Sequence, residues 1–171
     1  MTFARRGGGA TPEALEQLYR ARFGAFLKVA ASIAGERHAP DAVHNAFVRA
    51  LRHRERFREG GSLEAWVWRT VVNAARDVRG ADRDQLGLDR QHEPASNGQP
   101  ATRDESVRVV IAALPPQQRL AVFLRYYADL DYATVAEVLE VSPGTVAALL
   151  HRAHAAIRRR LQEEGVPCST S

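Results

Sequence analysis

Apolar residues recur three and four positions apart along most of the chain, in blocks separated by short runs of Gly, Pro, Ser and Asp. At 3.6 residues per turn that spacing puts the apolar positions on one face of an α-helix. In the first block Leu15, Leu18, Tyr19, Phe23, Phe26, Leu27, Ala30 and Ile33 follow it, with Thr11 and Pro12 as N-cap and first helical position and Gly35 as the stop. A second helix is expected from Pro40 to about Phe57, with Val43, Phe47, Ala50, Leu51 and Arg54 on one face and Gly60 and Gly61 ending the segment. Ser62 then caps a third helix, SLEAWVWRTVVNAARDVRG.

In that third helix Leu63, Trp66, Val67, Thr70, Val71, Ala74 and Val78 share one stripe at 100° per residue, and Trp68 and Val72 fall off it. Two readings of Trp68 follow. Either it is exposed beside Arg69, Asn73 and Arg76 as a contact surface, or it packs against a neighbouring helix. The first would suit unpaired nucleic acid, because aromatic faces stack on bases while Arg and Asn hydrogen-bond to phosphates and base edges.

From 81 to 104 the stretch ADRDQLGLDRQHEPASNGQPATRD loses the periodicity and reads as a linker. Four more helices are expected after it. The first stops at Leu114, because Pro115 and Pro116 cannot continue a helix, and Pro116 opens the next, to Tyr127. A short helix over Tyr132 to Leu139, a turn at Glu140, Val141 and Ser142, and a long helix opened by Ser142 and Pro143 complete the chain. Val135, Ala136, Leu139, Val141, Val146 and Leu150 are spaced to hold the last two at a steep angle, as in a helix-turn-helix. The expected fold is all-α, with one small helical domain over 12–80, a flexible linker over 81–104, and a four-helix, helix-turn-helix domain over 105–164.

Composition narrows the function classes. The 171 residues are 45% hydrophobic, as in soluble globular proteins. No run approaches the roughly 20 apolar residues of a membrane span, and MTFARRGGGATPE has no apolar segment behind its charges, so a cytoplasmic protein without a membrane span is expected. The lone Cys168 has no partner, and His38, His44, His53, His92, His151 and His154 form no HxxxH or HExxH pair. Neither a metal nor another cofactor is expected, and no catalytic constellation or phosphate-binding glycine loop suggests an enzyme. The net charge of +4 is uneven. Residues 1–80 carry 14 basic and 8 acidic side chains, 81–104 carry 3 and 5, and 105–171 carry 7 and 7. A polyanionic partner is therefore expected at the first domain. Arg56 and Arg58, with Arg52 and Arg54 before them, are spaced to follow phosphates.

PEALEQLYRARFGAFLKVAASIAG, DAVHNAFVRALRHRERF and GSLEAWVWRTVVNAARDVRG in the first domain, followed by LPPQQRLAVFLRYYADLDYATVAEVLEVSPGTVAALLHRAHAAIRRRL in the second, resemble the extracytoplasmic-function sigma factors. The resemblance spans almost the whole chain and rests on the order and spacing of these stretches together. It implies a promoter-specificity subunit of bacterial RNA polymerase, with core polymerase, promoter DNA and an anti-sigma factor as partners. By that likeness Asp41, Val43, His44, Asn45 and Phe47 lie on the polymerase-docking helix. Phe57 to Arg79 would capture the −10 element and a flipped base, and the last helix would read the −35 element.

Two departures bear on this. His44 and Asn45 stand where the family usually has Gln and an acidic residue, which removes a charge from the docking helix. Ala147, Ala148 and Leu149 follow GTV where the family commonly shows Lys, Ser and Arg. Alanine can meet a thymine methyl but cannot make the bidentate pairing that selects guanine. Thr145, His151 and Arg152 are then the DNA candidates of that helix, with weak −35 affinity expected. Leu149 implies either deeper packing or a protein contact, and the latter would make the chain a diverged sigma-like regulator or adaptor.

Overall fold

The structure, a computed structural model, describes residues 9–57, 61–86 and 103–163. Arg58, Cys168 and most of the expected linker lie outside these residues. The described residues form seven α-helices and no strand.

The first three are α1 (Pro12–Ala34), α2 (Ala39–Arg52) and α3 (Leu63–Leu86). Thr11 Oγ1 accepts from the Ala14 N–H at 3.2 Å and so satisfies one of the free amides of the first turn. Gly35 ends α1 at φ 87°, a conformation costly for any side chain, and donates to the Ala31 carbonyl at 2.9 Å. α2 stops five residues before Phe57 and passes into a 3₁₀ turn, Arg54–Arg56. The reason is tertiary: the Arg54 carbonyl accepts from both Ala10 (3.1 Å) and Phe57 (3.2 Å), so the chain turns there to meet the segment entering α1. Ser62 Oγ caps α3 through the Ala65 N–H at 3.2 Å. α3 runs to Leu86, beyond the expected end near Gly80; a helical glycine costs about 1 kcal/mol and does not by itself stop a helix. His38 Nε2 lies 3.6 Å from Asp82 in that extension.

These helices close on one core. Phe26, Val29 and Ala30 of α1 meet Val43, Ala46, Phe47 and Ala50 of α2, and Val67, Trp68, Val71, Val72 and Ala75 of α3. The Trp68 ring is 4.3 Å from that of Phe26, which makes an edge contact with Phe47 at 5.3 Å.

The second group is α4 (Arg103–Ala112), α5 (Pro116–Val122), α6 (Tyr132–Leu139) and α7 (Pro143–Glu163), with α5 widening into a π-helical turn over Phe123–Tyr127. Asp131 caps α6 by accepting from the Thr134 N–H at 2.7 Å. Glu140 leaves it in the left-handed conformation at φ 57°. Ser142 Oγ accepts from the Thr145 N–H at 3.1 Å and opens α7, which meets α6 at 98°. Leu120, Leu124, Val135, Ala136, Val138, Val146, Leu149, Leu150 and Ala153 fill the core between these helices.

The two groups pack together: α3 lies on α6, and α1 on α5 and the π-helical turn. The Arg22 guanidinium donates to the Ala128 carbonyl at 3.4 Å, Lys28 Nζ sits 5.0 Å above the Tyr127 ring, and Arg69 pairs with Glu140 at 3.4 Å. The linker composition gave no sign of this contact. Part of the boundary is electrostatically adverse, since burial and then the charge of Arg79 hold the half-buried Arg119 below the usual arginine range.

Candidate nucleic-acid interface

Where the 3₁₀ turn after α2 meets α3, the two elements leave a cleft of about 270 Å³ lined by Arg49, His53, Arg56, Trp66, Thr70 and Asn73. Trp66 forms its aromatic wall. It is half-buried, and its ring leans on Phe57 at 5.8 Å. Thr70 Oγ1 donates back to the Trp66 carbonyl at 2.9 Å, which turns its lone pairs outward. Asn73 is exposed one turn farther on and brings both an amide donor and an acceptor. Arg49 is partly neutralised by Asp77, whereas Arg56 has an exposed side chain. An indole face, an amide and guanidinium groups around one open cleft suit an unpaired base with its phosphate.

A larger cleft of about 720 Å³ opens on the other side of Trp66 and Arg56. Phe57, Ala65 and Arg69 stand with them on the wall of the first domain, and Ala136, Glu137, Glu140, Val141 and Pro143 line the helix-turn-helix side.

The structure sorts the expected residues. Trp68 is fully buried, so it is a core residue, and the exposed-contact reading is corrected. Trp66, assigned by periodicity to the core, is the tryptophan that reaches the cleft. Arg56 and Asn73 line it; Arg76 is exposed farther along α3, and Arg69 faces Glu140. Sequence reasoning missed Thr70, His53 and Arg49 as cleft residues. Only their four-residue spacings along α2 and α3 could have shown them.

On α2, Val43 is fully buried and Phe47 is 8% exposed, so both belong to the core and neither is free to dock; that expectation is corrected. Both fall on the inner stripe of α2, pressed against α1 and α3. Asp41, His44 and Asn45 are exposed. Leu51, expected on the inner face, is 41% exposed because α2 ends beside it.

On α7, Thr145, His151 and Arg152 are exposed, as are Ala147 and Ala148. The Thr145 hydroxyl is shared with Ser142 Oγ at 2.9 Å, so the cap and the candidate DNA contact are the same group. Leu149 is 8% exposed and packs into the domain core. Of its two readings, deeper packing is the one the structure shows.

Comparison with known proteins agrees with this organisation. Residues 18–83 match the model of sigma-70 region 2, and residues 104–157 that of sigma-70 region 4. The ECF RNA polymerase sigma-E factor of Escherichia coli is 27% identical over 140 residues, 72% of this chain and 73% of that protein. The RNA polymerase sigma-H factor of Pseudomonas aeruginosa is 29% identical over 141 residues, with the same shares. Among solved structures, the sigma factor RpoE of Bartonella quintana, in complex with the anti-sigma factor NepR, superposes with a TM-score of 0.68 at 21% identity, covering 88% of this chain and 98% of that one. CnrH, in complex with the cytosolic domain of CnrY, gives 0.67 at 23% identity, covering 90% and 91%. Sigma-70 regions 2 and 4 in order along one chain, on an all-α fold shared with these factors, make this protein a member of the extracytoplasmic-function group of the sigma-70 family.

Proposed function

We propose that the chain is a promoter-specificity subunit of bacterial RNA polymerase, without catalysis of its own, whose first domain captures the −10 element and whose second binds the −35 element. The observation that carries this reading is the cleft at Trp66, Thr70 and Asn73, with Arg56 and His53 at its rim. Melting duplex DNA requires a site that makes up for a few kcal/mol of lost stacking per extruded base, and an indole face returns about 1–3 kcal/mol of it. Trp66 therefore takes the role that one of the two sequence readings offered to Trp68, with Asn73 reading a base edge. Arg76 contacts the strand farther along α3, and Arg69 does so once freed from Glu140.

Core polymerase is met by the exposed side of α2, through Asp41, His44 and Asn45, with Leu51 as the apolar contact at its end. His44 and Asn45 supply hydrogen bonds there without a formal negative charge. Thr145, His151 and Arg152 on α7 address the −35 duplex. An anti-sigma factor is the expected inhibitor, in keeping with the anti-sigma factor NepR named as the partner of RpoE.

Run-off transcription with core polymerase, on promoters selected from fragments of the host genome, tests the reading. Specific transcripts are expected, and Trp66→Ala should lower open-complex formation, read by permanganate reactivity of unpaired thymines, about tenfold with core binding intact. Core binding without a transcript from any template would refute it.

A further inference from the structure

The cleft between the two domains pairs unlike charges. Arg56 and Arg69 stand on the wall of the first domain, and Glu137 and Glu140 on the wall formed by α6. Arg69 Nη1 is already 3.4 Å from Glu140 Oε1. Two carboxylates one helical turn apart, set against guanidinium groups that flank an aromatic wall, offer those arginines what a nucleic-acid backbone offers: spaced negative charge at the edge of a stacking surface. The same contact restricts the second domain. Val141 and Pro143, at the turn that opens α7, line the cleft as well, so that turn is held beside α3 while Thr145, His151 and Arg152 stay exposed.

We propose that this closed arrangement is self-inhibitory: the acidic edge formed by Glu137 and Glu140, at the end of α6, occupies the place of promoter phosphates against Arg56 and Arg69, and it must swing away before the first domain engages DNA along α3. The proposal rests on the reading of the α3 face as the DNA surface. The latch is weak enough to be reversible. The paired side chains of Arg69 and Glu140 are 41% and 67% exposed, and such pairs are screened by salt. The crowding of Arg79 toward Arg119 across the same boundary works against closure.

The test uses the full-length chain. Glu137→Gln with Glu140→Gln is compared with Glu13→Gln with Glu163→Gln, which changes the net charge equally but away from the cleft. Affinity is measured by anisotropy on a random-sequence, single-stranded 20-nucleotide DNA pool. Domain separation is measured by spin-label distances between Glu36→Cys and Arg159→Cys in a Cys168→Ser background. The cleft variant should bind the pool about three- to tenfold more tightly than the control variant and populate longer distances. Added salt should lengthen the distances in the otherwise unaltered chain. Glu140→Arg alone should open the protein, and Arg69→Glu combined with Glu140→Arg should restore the original distances. Unchanged distances in the cleft variant, or tighter binding no greater than in the control, would overturn the proposal. Longer distances with no gain in binding would overturn the masking as well. Failure of the latch leaves the Trp66→Ala defect in open-complex formation intact, whereas failure of the promoter-recognition reading removes that defect.

Discussion

At the scale of single residues, the two tryptophans of α3 differ in burial, and the proposed function divides stability from binding between them. Trp68 is fully buried against Phe26, so Trp68→Ala leaves a cavity and should cost about 3–5 kcal/mol in urea unfolding. Trp66 lies at the cleft with one face on Phe57, and Trp66→Ala should cost about 1 kcal/mol or less while damaging promoter opening. Their emission provides a second check. A Trp68→Phe variant, which retains Trp66, should emit at longer wavelength and be quenched by acrylamide more readily than a Trp66→Phe variant. Equal quenching would contradict the assignment. The sequence brought a tryptophan, Asn73 and the arginines to one helix but misplaced which ring faces outward, for a physical reason. A stripe at 100° per residue assumes one buried face, whereas α3 is covered by α1, α2 and α6. Its buried arc is therefore broad, and the centre of that arc lies at Trp68, Val71, Val72 and Ala75.

At the scale of elements, what was legible was local chemistry, and what was not depended on distant partners. Thr11, Ser62 and Ser142 cap the helices they were expected to open, because capping needs only the residue and the amides that follow it. The end of α2 depends on Ala10 reaching the Arg54 carbonyl, a contact across more than forty residues that no local pattern encodes. The cap of α6 yields a pH prediction. Hydrogen bonds from the Thr134 backbone and side chain hold the Asp131 carboxyl below the usual aspartate range, so its stabilising contribution is complete above about pH 4 and is lost as pH falls through the lower folded value. Asp131→Ala should cost about 1 kcal/mol at neutral pH. Asp131→Asn preserves the cap, and its urea midpoint should differ from that of the unaltered chain only above the titration and converge with it in acid. A gap that widened on acidification would show that the carboxylate does not stabilise α6.

At the scale of the whole molecule, the uneven charge predicts an uneven division of promoter recognition. Residues 1–80 hold the basic surplus of 14 against 8, and residues 105–171 balance at 7 against 7, so most of the phosphate attraction belongs to the first domain. On α7 the exposed Ala147 and Ala148 allow close approach but no bidentate pairing with guanine, and Thr145 shares its hydroxyl with the cap. Scrambling the −35 element should therefore reduce run-off transcription by about tenfold or less, roughly 1.4 kcal/mol and so the lower part of the range for one good base contact, whereas altering the −10 element should abolish it. Ala148→Arg places a guanidinium on the exposed side of α7, away from the core that holds Leu149 and Leu150. In a selection over randomised −35 sequences this variant should enrich guanine at one position, where the unaltered chain shows a flat preference. Complete loss of transcription on scrambling −35, with no new preference in Ala148→Arg, would move the main burden of discrimination back to Thr145, His151 and Arg152.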